Sequence, residues 1–343
     1  MTREIALGYV PLVDAAPLLL ADALGFAEEQ GLHLTLHRAA NWSMLRDMLD
    51  QGQVMAAQML SAMPVARALG LGSGRVALET PLILSQGGQV VGASAPLAEA
   101  LARQGQPCDF TDAASTARAI AALHQPLRIP PLRIGVPFAH SMHALLVEDW
   151  LAGMPATFLT VAPPLMPEAL AEGALDLFCV GEPWGSQAVV KAGARLLLPG
   201  AAIRHGLPEK VLACRAGWCE AEADLAGRLV RALSGAGDWL ARPGNASTAA
   251  EVLTRPGRVD VAAELIERAL TGRIVTDPVG TEHLVPGFQD FGPARAMRPM
   301  AVQAQWIASR LALRHGRGSD AESLAAAVFR GDLHDRFLSL TTA

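Results

Sequence analysis

The feature that most restricts the fold of this chain is an alternation of short apolar runs with helix-compatible segments. Residues 5–9 and 32–37 have the pattern of strands, and each is followed by a predicted helix, over residues 14–27 and 44–51. A third strand and helix follow residues 52–58. Strands that alternate with helices in this way are typical of a doubly wound parallel sheet. The first part of the sequence therefore predicts an α/β unit.

A second alternation, between about Gln89 and Gly193, predicts another and smaller α/β unit. Its predicted strands are residues 89–93, 132–136, 158–161 and 175–180, and its helices include residues 140–151 and 166–173. From Ala194 onward the pattern turns helical. We therefore expect a bilobed clamp that closes by a hinge on its ligand, with residues 1–88 and 196–343 in lobe I and residues 89–195 in an inserted lobe II.

The end of the last of these strands, at Gly181, is a first candidate for a ligand site. Glu182, Pro183 and Trp184 follow it, and a helix-compatible segment begins with proline in its first turn. Ligands of open α/β sheets bind at such carboxyl strand ends, where backbone N–H groups meet an anion. The alternative is an ordinary turn between a strand and a helix, and this stretch alone does not separate the two.

Charge and cysteine content argue against several classes of partner. The net charge is −5, and the Lys and Arg residues form no cluster, which argues against a nucleic-acid surface. The sequence contains no CxxC pair, so its cysteines suggest neither a zinc site nor a disulfide framework; they are Cys108, Cys179, Cys214 and Cys219. No segment reaches the ~18 uninterrupted apolar residues of a membrane span.

Motifs of common enzyme classes are absent from the sequence. It contains no GxSxG, no HExxH, no Walker A loop and no GxGxxG after a strand. His140 and His143 are spaced in a way that suits a metal, but the sequence places no third ligand beside them. We therefore predict that the chain is not an enzyme and that it holds no metal and no cofactor.

Hydrogen-bond donors recur at the predicted turns and element ends, which are the places that line a ligand cleft. The candidates are Trp42, Gln86, His143, Gly181 and Lys210. Each also has an ordinary structural interpretation: a packed indole, a loop amide, a capping histidine, a turn glycine and a solvated lysine.

Five motifs containing these residues occur in an order that resembles the nitrate-binding proteins of the NrtA/CmpA type. They are NWSMLRDML, the SQGG turn, AHSMH before LLVEDWLAG, LDLFCVGEPW and LPEKVLACRAGW. The opening segment, residues 298–311 and the ending VFRGDLHDRF are similar to the same family, so the resemblance covers nearly the whole chain. It implies a periplasmic-binding-protein-like clamp of type II.

The resemblance also implies a ligand set for the anion. In that family the anion is held by Trp, Gln, His, a Gly backbone and Lys, which correspond here to Trp42, Gln86, His143, Gly181 and Lys210, with His140 as an alternative to His143. Nitrate carries one delocalised charge and only accepts hydrogen bonds, so a set made of donors with one cation suits it. Bicarbonate would need an acceptor for its own O–H, and the bicarbonate-binding relatives differ around the lysine.

Within the family, the chain is similar to the NasS-type nitrate sensors of the cytoplasm. Residues 1–20 show neither a basic region nor a continuous apolar run, so we expect no export signal in them and a cytoplasmic location. NasS-type proteins bind nitrate or nitrite and control NasT, an antiterminator with an RNA-binding ANTAR domain, so the expected partner is a protein and not RNA itself. The alternative is the binding subunit of an ABC nitrate importer. An enzyme on the same fold, such as a pyrimidine-precursor synthase, would need a nucleophile or metal set that the sequence lacks.

Overall fold

The chain folds into two units, each built on its own β-sheet. The computed structural model describes residues 2–105, 109–124, 130–242, 244–317 and 320–339. The units are Met1–Gln86, Leu207–Ala263 and Asp290–Ala343 for the first, and Gly87–Gly206 and Glu264–Gln289 for the second. The chain therefore passes from one unit to the other four times.

The strands are, in chain order, β1 Arg3–Tyr9, β2 Leu32–Arg38, β3 Ala56–Leu60, β4 Leu78–Gly87, β5 Gln89–Ala93, β6 Leu132–Val136, β7 Ala156–Thr160, β8 Leu177–Gly181, β9 Arg195–Pro199, β10 Pro208–Arg215, β11 Arg273–Val275, β12 Glu282–Leu284 and β13 Gln289–Asp290.

The α-helices are α1 Ala16–Ala23, α2 Phe26–Glu29, α3 Trp42–Asp50, α4 Ala62–Ala68, α5 Ala95–Arg103, α6 Ala113–His124, α7 Met142–Trp150, α8 Met166–Ala171, α9 Trp184–Ala192, α10 Gly200–Ile203, α11 Trp218–Ala221, α12 Ala223–Leu240, α13 Ala246–Leu253, α14 Ala263–Thr271, α15 Ala301–His315, α16 Ala321–Ala326 and α17 Gly331–Ser339. Three short 3₁₀ turns cover Val13–Ala15, Pro163–Leu165 and Ala294–Met297.

The sheet of the first unit has the strand order β13-β4-β10-β3-β1-β2. Strand β1 pairs in parallel with β2 and β3, while β10 runs antiparallel to both β3 and β4. Every side chain of β3 is buried, as the apolar sequence of a central strand predicts. Helix α1 packs against α12 and α13, so the apolar faces of these helices are covered.

The sheet of the second unit has the order β7-β6-β8-β5-β9. Strand β6 is parallel to β7 and β8, and β5 is antiparallel to β8 and β9. Its strands supply much of one apolar core, in which Val91, Ile134, Leu177 and Leu198 are fully buried. Burial of such β-branched and leucine side chains is the main stabilising term for a sheet of this kind.

The parallel sheet predicted for the first part of the chain contains antiparallel strands as well, and the sheet of the second unit is also mixed. The sequence pattern assigned the residues after Ala194 to helices, and the structure places β9 and β10 there. Strand β9, RLLLP, is mostly leucine, which favours a helix as readily as a strand, and β10, PEKVLACR, has only the short apolar run VLAC, which does not by itself separate a strand from a helix. Antiparallel pairing with β5 and with β3 and β4 decides the outcome.

The two units of the structure divide the chain differently from the two predicted lobes. Residues 196–206 and 264–289 were assigned to lobe I, and they lie in the second unit. Strand β9 pairs with β5, which fixes the first of these segments in the second sheet. The second segment is held by two backbone hydrogen bonds, from Leu196 N to Thr276 O at 2.8 Å and from Gly88 N to Phe288 O at 2.7 Å.

Two helix ends differ from the prediction for local reasons. Helix α3, predicted from residue 44, begins at Trp42 and is capped by Asn41, whose side chain accepts from Met44 N. The helix predicted over residues 14–27 is divided at Gly25, whose φ of +84° is a left-handed conformation. Cys108, one of the four cysteines, lies outside the described residues. No helix among those described has the length and apolar character needed to cross a membrane.

Candidate functional site

The first unit brings three of the predicted ligand residues to one edge of its sheet. Trp42 begins α3, which follows the carboxyl end of β2. Lys210 lies near the amino end of β10 and stands opposite Leu60, the last residue of β3. Gln86 lies near the carboxyl end of β4, opposite Pro208. Because β10 is antiparallel to its neighbours, its amino end lies at the same edge as the carboxyl ends of β3 and β4.

Lys210 is fully buried at this edge and is paired with two carboxylates. Its Nζ lies 2.7 Å from Asp14 Oδ2 and 2.9 Å from Glu209 Oε1, and both acids are buried. The same nitrogen lies 5.4 Å from the centroid of the Trp42 ring, within the range of a cation–π contact. Gln58 donates to the second oxygen of Asp14. We call Asp14, Glu209 and Lys210 the ion cluster.

A local irregularity in β10 explains how two consecutive residues meet in this cluster. Side chains of a regular strand alternate between the two faces, so Glu209 and Lys210 would point apart. The pairing of β10 with β4 shifts in register between Pro208 and Lys210. A bulge of this kind re-aims a side chain, which allows the Glu209 carboxylate to reach the ammonium of its neighbour.

Burial and mutual attraction set the protonation of the ion cluster. Burial raises the pKa of Asp14 to about 6, although the charge of Lys210 and hydrogen bonds from Lys210 and Gln58 oppose the rise. Burial likewise raises the pKa of Glu209. For Lys210, burial lowers the pKa, but the two carboxylates outweigh it and the net pKa is raised, so the ammonium stays charged. Two buried acids therefore already face the charge of Lys210.

The indole of Trp42 is a buried donor that is not used within the protein. Its side chain is 1% exposed, and its Nε1–H has no hydrogen-bond partner among the described residues. A buried N–H without an acceptor is costly, about 1–3 kcal/mol, and native proteins rarely leave one in place. The amide of Gln86, in contrast, donates to Ala296 O at 3.3 Å. The Trp42 N–H is thus available for an acceptor supplied by a ligand.

The second unit places His143 and Gly181 at neighbouring strand ends. Gly181 ends β8, and His143 is the second residue of α7, which follows β6. These two strands are adjacent and parallel, so their carboxyl ends share an edge. His143 is fully buried. His140, the alternative, lies in the preceding turn with its ring against the edge of Phe138, at 6.1 Å between centroids.

Four polar residues of these edges were missed by the sequence reasoning: Asp14, Gln58, Glu182 and Glu209. Glu182 directly follows Gly181 and is 1% exposed. Burial raises its pKa to about 7, against hydrogen bonding from Ser186, whose N–H donates to Oε2 at 3.0 Å. The sequence did indicate two of these buried acids, since Asp14 and Glu182 each interrupt an apolar stretch. Acids in such stretches are buried only when they are paired with another group.

The chain's family and fold emerge from comparison with known proteins. Residues 1–254 match the NMT1-like family. The nitrate import ATP-binding protein NrtC of Synechococcus elongatus is 32% identical over 258 residues, which are 73% of this chain and 37% of that protein. The bicarbonate transport ATP-binding protein CmpC of the same species is 28% identical over 318 residues, 90% of this chain and 45% of that protein. The chain spans less than half the length of these two curated relatives.

A solved structure with the same fold is the periplasmic nitrate-binding protein NrtA from Synechocystis PCC 6803. The TM-score is 0.87 at 23% identity, and the match covers 99% of this chain and 89% of that chain. This likeness confirms the predicted class, a mixed α/β fold of the periplasmic-binding-protein type.

We predict that replacing the buried ammonium destabilises the fold. Lys210→Met leaves Asp14 and Glu209 buried without their cation and should lower the free energy of unfolding by roughly 3–5 kcal/mol at pH 7. Adding Asp14→Asn to that variant should restore part of the loss. The exposed Lys191 gives a matched control, and Lys191→Met should change stability by less than about 0.5 kcal/mol. Denaturant titration measures all three; equal stability of wild type and Lys210→Met would contradict the ion cluster.

Proposed function

This chain belongs to the NMT1-like family, and from that premise we propose that it binds a small inorganic anion, nitrate or nitrite. The observation that carries the proposal is the buried indole N–H of Trp42, which has no acceptor in the described part of the chain and lies beside the buried ammonium of Lys210. The names of NrtC and NrtA, which refer to nitrate, support the same ligand class.

The chemistry of nitrate fits the residues assigned to it. Nitrate is planar and offers oxygens that accept hydrogen bonds but no donor. The donors proposed in the first unit are the Trp42 N–H, the Gln86 amide and the Lys210 ammonium, and those proposed in the second unit are the His143 imidazole and the Gly181 backbone N–H. Hydrogen bonds to a charged ligand are stronger than neutral ones, so a few aligned donors replace the water that the ion loses.

Binding beside the ion cluster is expected to involve a proton. With both acids ionised, Asp14, Glu209 and Lys210 together carry one negative charge, and a bound anion would add a second. Protonation of Asp14, whose pKa burial raises to about 6, would remove that repulsion. The anion in turn raises the affinity of Asp14 for its proton, so ligand and proton bind together.

The cellular role proposed here is that of a cytoplasmic sensor that controls an ANTAR-type RNA-binding antiterminator. Its support is the similarity of the sequence to NasS-type sensors. The alternative role is the binding component of an ABC nitrate importer, and the relatives named for nitrate import favour it.

The ligand assignment is tested by removing one hydrogen bond. Trp42→Phe keeps an aromatic ring but loses the N–H, so nitrate binding should weaken by roughly 1.5–3 kcal/mol. Trp239→Phe, a change at a partly exposed indole of α12, is the matched control and should bind like the wild type. Calorimetric titration with nitrate, nitrite and bicarbonate measures the three affinities. Unchanged nitrate affinity in Trp42→Phe would refute the assignment, and bicarbonate as the tightest ligand would refute the ligand class.

The proton coupling predicts a pH dependence of nitrate affinity. Above about pH 6 Asp14 is ionised in the free protein and must take up a proton on binding, so affinity should fall by up to about tenfold per pH unit. Below about pH 6 the carboxyl is already protonated and affinity should level off. Asp14→Asn is neutral throughout, so its affinity should be flat from about pH 5 to pH 8 and higher than wild type at the alkaline end. An equal slope in both proteins would exclude Asp14 as the coupled group.

The sensor role predicts a partner complex that responds to the ion. An ANTAR-domain protein coexpressed with this chain should copurify without nitrate and dissociate when nitrate is added, with a loosening of about 5–150-fold that corresponds to a coupling of roughly 1–3 kcal/mol. Trp42→Phe should keep the complex at nitrate concentrations that release the wild type. Size-exclusion chromatography measures both. If nitrate binds but no ANTAR complex forms, the importer role replaces the sensor role.

A further inference from the structure

We propose that Cys214 and Cys219 form a reversible thiol–disulfide pair in the first unit. Their Sγ atoms lie 3.3 Å apart, and both side chains are fully buried. A disulfide has its sulfurs at about 2.05 Å, so an approach of little more than 1 Å would close the bond. This pair lies outside the residues assigned to the anion, and the inference does not depend on the proposed ligand.

The local fold holds the two cysteines together. Cys214 is the second-last residue of β10, and Gly217, with a φ of +84°, lets the chain turn sharply into α11, where Cys219 lies. Cys214 stands opposite Glu79 of β4 in the antiparallel register. The Glu79 carboxylate accepts the backbone N–H of Cys219 at 3.0 Å, which fixes α11 against the end of the strand.

The position of Glu79 is itself fixed from a third element. Arg330, the residue before α17, places Nη1 3.0 Å from Glu79 Oε2 and Nη2 2.6 Å from Glu220 Oε1. The carboxylate therefore does not turn away, and the sulfurs stay in contact. A thiol pair held by three elements of one unit has the preorganisation that a disulfide requires.

The surroundings favour a disulfide over a bound metal ion. Glu79, Cys214 and Cys219 are close enough to serve as three metal ligands. A metal would require thiolates, however, and the pKa of Cys214 is raised well above its usual range by its contact with Cys219, by burial and by Glu79. A disulfide carries no charge, so burial does not oppose it. Thiols that resist ionisation also leave slowly, so the bond, once made, should persist.

The reaction balances with a disulfide oxidant such as oxidised glutathione. One cysteine, as its thiolate, attacks the oxidant and forms a mixed disulfide, and one glutathione thiol leaves. The second cysteine then attacks the protein sulfur of the mixed disulfide, and the second glutathione thiol leaves. The two protein thiols lose two electrons and two protons, and glutathione disulfide is reduced to two thiols. Cys219 is the expected entry point, because its neighbours Gly217 and Glu220 are exposed.

The sequence allows a direct test by peptide mapping. Trypsin cleaves after Lys210, Arg215 and Arg228, so Cys214 and Cys219 fall in separate peptides, residues 211–215 and 216–228. The full-length protein is equilibrated with oxidised glutathione, quenched in acid, alkylated in denaturant and digested. We expect the two peptides to appear joined, and to separate again after dithiothreitol. Cys179, buried in the second unit, should be alkylated under all conditions and serves as the internal control.

Variants and a stability measurement complete the test. Cys214→Ala and Cys219→Ala should each abolish the joined peptides, whereas Cys179→Ala should keep them. Oxidation should raise the thermal midpoint of the wild type by a few degrees, because a cross-link restricts the unfolded chain, and should leave the midpoint of Cys214→Ala unchanged. The proposal is overturned if both peptides remain alkylated in the oxidised wild type. It is also overturned if Zn²⁺ alone protects both thiols at one ion per chain.

Discussion

The first unit depends on one buried electrostatic arrangement, in which the ammonium of Lys210 is held by the carboxylates of Asp14 and Glu209. These groups come from the turn after β1 and from β10, which are not neighbours in the sheet, since β3 lies between them. Gln58 of β3 completes the arrangement by donating to Asp14. Removing Lys210 would leave two buried carboxylates without compensation, so its ammonium helps to fix the edge of the sheet on which Trp42 also lies.

This arrangement changes how the protein can recognise an anion. Because two acids already neutralise the charge of this lysine, its ammonium can act on an anion as a directional hydrogen-bond donor but adds little net positive charge. Discrimination then rests on donors with no other partner, of which the Trp42 N–H is the clearest in the described part of the chain. It rests also on whether a neighbouring carboxyl can hold a proton, which burial of Asp14 makes possible near neutral pH.

Strand β10 connects these features, because it carries Lys210 near one end and Cys214 near the other. It enters the first sheet only after the chain has built most of the second unit, and it pairs antiparallel between β3 and β4. A central strand is hydrogen-bonded to a neighbour on each side, so it moves little relative to the rest of its sheet. Cross-linking its far end to α11 would therefore stiffen an element that is already fixed by two ladders.

The sequence by itself determined the features whose signal is local. The alternation of strands and helices and the span of β6 follow from hydrophobic period and turn residues. The resemblance of short motifs selected Trp42 and Lys210, which the structure brings into contact. These predictions needed no knowledge of contacts between distant segments, because each motif lies at a turn or strand end within its own short stretch of sequence.

Only the tertiary structure decided the features that join distant segments. The antiparallel course of β10, the place of residues 264–289 in the second unit and the meeting of Asp14 with Lys210 all depend on pairings across long stretches of chain. A leucine-rich run can form either a strand or a helix, and backbone hydrogen bonds to a neighbouring strand decide between them. An acid in an apolar stretch likewise shows that a partner exists, but the partner's identity is set by the packing of the whole unit.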